Sequence, residues 1–122
     1  TRTPYGRYPE YHTSADDLGL IRPEYLAGSF QTYLAVFNVL ENNQNYVNLN
    51  PKCEPQLGRR GLYRQLGGNV ANNDAELAML WVLNLSDGDH ALLDIAERAG
   101  MPFDRIAAAA GFLLRNDLLK AC

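Results

Sequence analysis

The chain has 122 residues, enough for one ordinary domain or for two small units that share an interface. Hydrophobic residues make up 47% and charged residues 20%, a globular composition that excludes collagen, coiled coil and wholesale disorder. No apolar run approaches the roughly 20 residues that a membrane helix needs, so no membrane partner is expected. The chain opens on Thr1 without a leader pattern, and we expect a fragment of a longer, cytoplasmic polypeptide.

Charge is distributed unevenly along the chain, whose net charge is −3. Residues 1–70 carry seven Lys and Arg against six Asp and Glu, whereas residues 71–122 carry four against eight. Since phosphate neutralisation supplies most of the affinity of nucleic-acid binders, this acidic second half argues against a nucleic-acid partner. Cys53 and Cys122 allow one disulfide, but two thiols in a reducing compartment are the favoured interpretation.

A long helix is predicted after residues 1–21, which are rich in Tyr, Pro and small polar residues and predict loop with a short extended piece. Pro23 suits a first helical turn, because its missing N–H would have no helical partner there. Asn42 and Asn43 are the predicted terminators. Apolar residues recur between these points at spacings of three and four, which predicts one stripe on a helix of about five turns: Leu26, Phe30, Tyr33, Leu34, Phe37 and Leu40.

Residues 44–70 predict an irregular connector, because they contain two prolines and four glycines. Such a length exceeds most loops inside compact domains. Its apolar residues Leu57, Leu62, Tyr63 and Leu66 are expected to anchor it to a surface. We place a first domain at 1–50, the connector at 51–70 and a second domain at 71–122.

The second domain is predicted to contain three helices, the first capped by Asp74. The segment SDGDH predicts a turn, after which Asp89 is the expected cap of the second helix. Gly100 is the expected stop of that helix and Pro102 restarts the third, which gives a helix-turn-helix layout. The ending NDLLKAC predicts a short strand or wing. On the first helix, Leu77, Leu80, Trp81 and Asn84 are predicted along one side, with Ala78, Val82 and Leu85 beside them, and Trp81 is expected in the core. The second helix carries a stripe of Leu92, Ile95, Ala96 and Ala99. The expected inward positions of the third helix are Phe103, Ile106, Ala110, Leu113 and Leu114.

The third helix opens with MPFDRIAAAA, which carries few groups suited to reading DNA. Asp104 would face phosphates unfavourably, and Arg105 is the one cation of the first two turns. Alanine side chains cannot hydrogen-bond to bases, so an interaction module is favoured over a DNA-reading helix. His90 is interpreted as a cap or surface residue rather than a ligand.

The segment EYHTSADDL, residues 10–18, combines a histidine with hydroxyls and two carboxylates. Neutral imidazole is a common zinc ligand, and Asp16 lies four residues after His12, where it can orient the ring across a turn. An Asx-type turn that happens to contain a histidine explains the same residues, because one histidine cannot make a metal site. The residues alone leave both interpretations open.

The sequence His12-Thr13-Ser14-Ala15-Asp16 resembles the HTxxD segment that closes the fold of di-zinc aminopeptidases, and glutaminyl cyclases and bacterial leucine aminopeptidases carry similar segments. The wider stretches YPEYHTSADDLGLI, NLNPKCEPQLGRRGLY and LWVLNLSDGDHALLDIAERAG resemble one family of aminopeptidase-like bacterial proteins. Its members carry a zinc-peptidase core with an inserted domain and end in a winged helix-turn-helix domain. The resemblance covers nearly the whole chain.

The resemblance implies a mainly α fold, in which a long amphipathic helix from the edge of a zinc-peptidase domain precedes a small winged helix-turn-helix domain. It implies that His12 is the last metal ligand, with Thr13 and Asp16 in support, while the other ligands and the general base lie upstream of this chain. Zinc is therefore expected in the longer parent protein, and neither zinc nor peptidase activity in this chain alone. The upstream peptidase domain of the same polypeptide is the expected partner. In this chain alone, the helix stripe is expected to pack against the small domain or against a second copy, because a lone helix is marginal.

The implied function is that of the C-terminal part of a zinc-dependent aminopeptidase-like hydrolase, with a helix-turn-helix domain that serves interaction or assembly. The alternative is a nucleic-acid-binding winged-helix regulatory module. Arg59 and Arg60 offer planar forks for carboxylates or phosphates. They fit either a substrate contact at the peptidase cleft or an interdomain clasp to the acidic second half, and the clasp is favoured because a long connector has to be fixed.

Overall fold

The computed structural model describes residues 3–62 and 73–122, and the chain divides into two compact units, Thr1–Leu40 and Glu41–Cys122. The predicted anchors Tyr63 and Leu66, with the second half of the connector, lie outside the described residues. The first unit contains a succession of turns followed by most of one long helix. Among its described residues, the second contains three shorter helices and a small sheet, so the predicted mainly α architecture is confirmed.

Helix α1 spans Pro23–Asn42, as its proline and asparagine boundaries predict. None of its residues is buried. At 3.6 residues per turn, its exposed large apolar side chains cover about half of the helix circumference. They are Tyr25, Leu26, Phe30, Tyr33, Leu34, Val36, Phe37 and Leu40.

The sheet has three antiparallel strands in the order β2-β1-β3: β1 is Asn45–Asn48, β2 is Asp87–Ala91 and β3 is Leu119–Ala121. The central strand pairs Val47 with Asp87 on one side and with Lys120 on the other. Because β1 lies in this sheet, residues 45–48 belong to the second unit, whereas the sequence places the domain boundary after residue 50.

The predicted turn SDGDH is wrong, because most of it forms the edge strand β2. Its backbone pairs with β1, while its polar side chains remain at the edge of the sheet. Strand β3 confirms the predicted short strand in NDLLKAC.

Helices α2 (Asn73–Leu85), α3 (Leu92–Ala99) and α4 (Phe103–Arg115) complete the second unit. Gly100 follows α3 in the left-handed conformation, with φ of 62°, and its N–H donates to the carbonyls of Ala96 and Glu97. Helix α4 begins directly after Pro102. The predicted helix stop, restart and helix-turn-helix layout are therefore confirmed. Asp74 lies in the first turn of α2.

Asp89 is not the cap of α3, which corrects the prediction. Strand β2 continues to Ala91, so the helix begins later than its polar residues suggest. The N–H of Leu93 donates to the side-chain oxygen of Asn43 at 2.8 Å, and the Asp94 carboxylate accepts from Ala91 N–H at 2.9 Å. The acceptor for Leu93 comes from fifty residues away, where no local pattern reveals it.

The core of the second unit lies between the three helices and the sheet, and α2 and α4 form its closest helix pair. Leu57 and Leu62 are fully buried, so two of the predicted connector anchors are confirmed. Leu114 is wrongly predicted as inward, because it is 39% exposed. Leu77 and Leu80 on α2 are 44% and 40% exposed. The confirmed core positions include Leu92, Ile95, Ala96, Ile106, Ala110 and Leu113, and Trp81, Ala99 and Phe103 pack partly buried against them.

No helix within residues 3–62 and 73–122 is long and apolar enough to cross a membrane.

Candidate functional site

The predicted metal-ligand segment forms a tight turn around Thr13. The Thr13 hydroxyl donates to the Glu10 carbonyl at 2.7 Å and accepts from the Ala15 N–H at 3.2 Å. His12 adopts a φ of 59°, a left-handed conformation that is uncommon for a residue with a side chain. Its ring lies 4.2 Å from the ring of Tyr11, centroid to centroid. The turn therefore holds His12 in an unusual backbone conformation with its side chain exposed.

Asp16 is hydrogen-bonded to a tyrosine in this structure. Its carboxylate accepts a hydrogen bond from the Tyr8 hydroxyl at 3.3 Å. Desolvation and the neighbouring Asp16 carboxylate raise the pKa of Tyr8. Within the described part of the chain, no hydrogen bond or ion pair joins His12 to Asp16, so the predicted supporting contact stays a prediction.

A zinc site cannot be completed from the residues that the structure describes. No group of three or more His, Cys, Asp or Glu side chains lies close enough among them to hold a metal ion. Zinc sites need about three or four protein ligands, and this segment supplies one histidine.

Arg59 and Arg60 are both exposed and bond within their own loop. Arg59 Nη1 donates to the side-chain oxygen of Gln56 at 3.1 Å, and Arg60 Nε donates to the Pro55 carbonyl at 2.9 Å. Neither guanidinium pairs with a carboxylate of residues 73–122. Both predicted roles, substrate contact and interdomain clasp, stay predictions.

Helix α4 occupies the position of a recognition helix, the second helix of the helix-turn-helix. Its first turn exposes Asp104 and Arg105, and the Arg105 guanidinium lies 3.3 Å from the Asp74 carboxylate. Ala108 is the next exposed residue along the helix. The one cation near the start of α4 is therefore paired, and its exposed neighbours are an acidic residue, Asp104, and an alanine, Ala108.

His90 belongs to a local polar cluster at the start of β2. Its Nδ1 lies 2.8 Å from Oδ2 of Asp87. The other Asp87 oxygen accepts from the N–H groups of Asp89 and His90, at 2.9 and 3.1 Å. These two backbone bonds, with a further contribution from the His90 ring, lower the pKa of Asp87 to about 2. His90 thus acts as a structural partner of Asp87.

The second unit also contains a groove of about 620 Å³ that the sequence does not predict. Its walls come from α2, from the segment 51–55 and from the chain around Ser86, so no single stretch of sequence contains it. We call this the α2 groove. It is lined by Asn48, Pro51, Cys53, Glu54, Pro55, Leu77, Leu80, Trp81, Leu83, Asn84, Ser86 and Asp87.

Comparisons with known proteins divide the chain close to where the structure does. Residues 44–121 match a family described as winged helix-turn-helix, and residues 1–43 match a domain of unknown function. A protein of Clostridium acetobutylicum, provisionally named a polysaccharide biosynthesis protein with an aminopeptidase-like domain, is 55% identical over 119 residues. This match covers 98% of the chain.

A solved structure is also similar to this chain. A crystal structure described provisionally as a peptidase from Clostridium acetobutylicum superposes with a TM-score of 0.81 at 50% identity, over 94% of this chain. The chain spans 27% of the length of the curated relative and 24% of the solved chain. These matches confirm the predicted resemblance to aminopeptidase-like proteins that carry a winged helix-turn-helix domain.

Proposed function

Because the chain belongs to the winged helix-turn-helix family, we propose that its second unit is an interaction or assembly module within a longer, zinc-dependent aminopeptidase-like hydrolase. The chain by itself is non-catalytic in this proposal. The relatives that carry an aminopeptidase-like or peptidase name are about four times as long as the segment they share with this chain, which supports a catalytic domain outside it. Two free, exposed cysteines, Cys53 and Cys122, favour a reducing, cytoplasmic setting.

The observation that carries the interaction role is the neutral start of α4. A DNA-reading helix presents cations and hydrogen-bonding side chains to the major groove. Here Arg105 is paired with Asp74 at 3.3 Å, Asp104 lies beside it, and alanines follow. Residues 71–122 also carry four Lys and Arg against eight Asp and Glu, which opposes approach to phosphate.

Gel retardation with mixed-sequence duplex DNA tests this role. At about 50 mM salt, where phosphate contacts are strongest, we expect no retardation up to about 10 µM protein. An Asp104→Ala variant serves as the sensitised control, because it removes the carboxylate beside Arg105. Micromolar binding of the unaltered chain that weakens steeply with salt would establish the alternative function, a nucleic-acid-binding regulatory module.

His12 is proposed to complete a zinc site whose other ligands belong to the upstream peptidase domain. Its exposed side chain and its left-handed backbone, with φ of 59°, support this role, because strained conformations cluster at functional sites. Thr13 is the positioning residue, since its hydroxyl holds the turn through Glu10 and Ala15.

Zinc content of the full-length protein tests the role of His12. We expect His12→Ala to lower the bound zinc, whereas His90→Ala leaves it unchanged. His90 is the matched control, because the chain has two histidines and the ring of His90 is engaged by Asp87. Equal zinc in both variants would remove His12 from the site.

A further inference from the structure

The α2 groove contains exposed apolar side chains of helix α2. Leu77 and Leu80 are 44% and 40% exposed, although the neighbouring Met79 and Val82 on the same helix are fully buried. Trp81 is half-buried and also lines the groove. Pro51 and Pro55 lie in the lining contributed by the segment before α2. Clustered apolar exposure of this kind marks binding surfaces.

Ser86 supplies a second, independent sign of a ligand. The residue is 4% exposed and lines the groove, and its hydroxyl has no hydrogen-bond partner among the described residues. Its backbone groups are satisfied, since its N–H donates to the Val82 carbonyl and its carbonyl accepts from the Asn48 N–H. Buried hydroxyls in folded proteins normally have partners, so a bound group that reaches Ser86 would supply the missing one.

The charge of the lining favours a basic partner. Glu54 and Asp87 are among the lining residues that the structure describes, which include no Lys or Arg. Asp87 is already bonded to its own strand and to His90. Glu54 uses one oxygen to accept from the Leu57 N–H, and its other oxygen makes no hydrogen bond to the described residues. The exposed Glu54 carboxylate is therefore the group that can meet a cation at the rim.

We infer that the α2 groove binds a peptide segment that presents an aliphatic side chain followed by Lys or Arg. The side chain fills the apolar floor between Leu80 and Trp81, a peptide polar group pairs with Ser86, and the basic residue lies near Glu54. A volume of about 620 Å³ matches one or two side chains of such a segment. This inference rests on the proposed interaction function and names the partner chemistry of that module.

The single tryptophan of the chain, Trp81, lines the groove, so its fluorescence reports binding there. Trp81 fluorescence is titrated with N-acetyl-Leu-Arg-amide, N-acetyl-Leu-Glu-amide and N-acetyl-Gly-Arg-amide. We expect saturable binding of the Leu-Arg peptide in the millimolar range. At low salt it binds about threefold tighter than Leu-Glu, a ratio typical of one exposed charge pair. The Gly-Arg peptide binds roughly tenfold more weakly, since it lacks the buried aliphatic group.

Three variants locate the site. Glu54→Gln keeps an oxygen for the Leu57 N–H and is expected to abolish the preference for Arg over Glu. Leu80→Ser is expected to lower the affinity for the Leu-Arg peptide about tenfold. Leu114→Ser is the matched control, because Leu114 is similarly exposed, at 39%, but lies on α4 outside the groove lining. This variant is expected to bind the Leu-Arg peptide as tightly as the unaltered chain.

The inference is overturned if none of the three peptides gives a saturable fluorescence change. It is also overturned if the Leu-Arg and Leu-Glu peptides bind with equal affinities that Glu54→Gln does not alter. Equal losses of affinity for the Leu-Arg peptide in Leu80→Ser and Leu114→Ser would overturn it as well. If Leu80→Ser fails to fold by circular dichroism, Glu54→Gln still decides. If the peptides do not bind and DNA is not retarded, the groove inference is wrong but the proposed interaction function still stands. If the chain binds DNA, the proposed interaction function itself is wrong.

Discussion

Helix α1 and helix α4 both carry apolar residues at spacings of three and four, but only α4 buries such residues. Helix α4 buries Ile106, Ala110 and Leu113 against α2 and α3, whereas α1 buries none of its residues. The difference teaches that periodicity identifies which face of a helix is apolar but not what covers it. In α4 the cover lies within the same unit, and in our account the cover for α1 lies in the rest of the longer polypeptide.

The largest effect that this comparison predicts is a difference in stability between two alanine substitutions, one on each helix. Ile106→Ala removes a fully buried side chain of α4 and is expected to lower the free energy of unfolding by about 2–5 kcal/mol. Phe30→Ala removes an exposed side chain of α1 and is expected to change it by less than about 0.5 kcal/mol. Urea unfolding of the 122-residue chain, followed by Trp81 fluorescence, measures both. Equal losses would mean that α1 is packed as firmly as α4.

Two glycines of the second unit sharpen the account of its helix-turn-helix. Gly100→Ala is expected to cost about 1–2 kcal/mol, because the position has a φ of 62° while the added methyl itself meets no atom within 4 Å. Gly111→Ala, inside α4 and in ordinary contact distance of Arg115, is expected to stabilise by about 0.5–1 kcal/mol. Thermal unfolding that shifts both variants in the same direction would contradict these conformations.

Ser86→Ala is expected to stabilise the unbound chain by up to about 1 kcal/mol, since it replaces a buried hydroxyl that has no partner among the described residues. Ser29→Ala in α1 is the matched control, because the Ser29 hydroxyl is exposed and bonds the Tyr25 carbonyl of the preceding turn. The control is expected to move the thermal midpoint little. A clear loss of stability in Ser86→Ala would show that the hydroxyl is partnered.

The smallest effect is a pH dependence. The pKa of Asp87 is lowered to about 2, so its carboxylate stabilises the fold above the unfolded value of roughly 4. That contribution is lost as the pH falls from about 4 to about 2. Asp87→Asn is expected to flatten the stability profile in this window, whereas Asp89→Asn leaves its slope in place. Chemical unfolding at a series of acidic pH values measures the two slopes.

All four described helices could be predicted from local signals, although the start of α3 could not, and several of their ends are marked by a specific residue. Pro23 and Asn42 bound α1, Gly100 ends α3 and Pro102 precedes α4. Each signal acts through the backbone of its own segment, by a missing N–H or a left-handed φ, so it is visible without knowledge of the fold.

Strands β1 and β2 and the groove could not be predicted, because they depend on distant partners. Strand β1 has four residues, too few to show alternation, and exists because β2 and β3 flank it. The cap for Leu93 comes from Asn43, which is fifty residues away. Leu77 and Leu80 follow the helical period of a core face but line the α2 groove, and only the assembled unit distinguishes the two.

The geometry of residues 10–18 could not be predicted from their spacing alone. The turn of residues 10–18 exists, and its Thr13 holds it together. Asp16 bonds Tyr8 instead of His12, a contact across eight residues that the spacing of four does not reveal.

Hydrogen exchange of α1 tests the central claim, that the longer polypeptide covers this helix while the winged helix-turn-helix unit packs its own core. In the 122-residue chain, the amides of residues 23–42 are expected to exchange rapidly and those of α4 slowly, because a helix without buried residues is marginal in water. In the full-length protein, α1 is expected to become protected while α4 changes little. Equal protection of α1 in both proteins, whether high or low, would contradict the account.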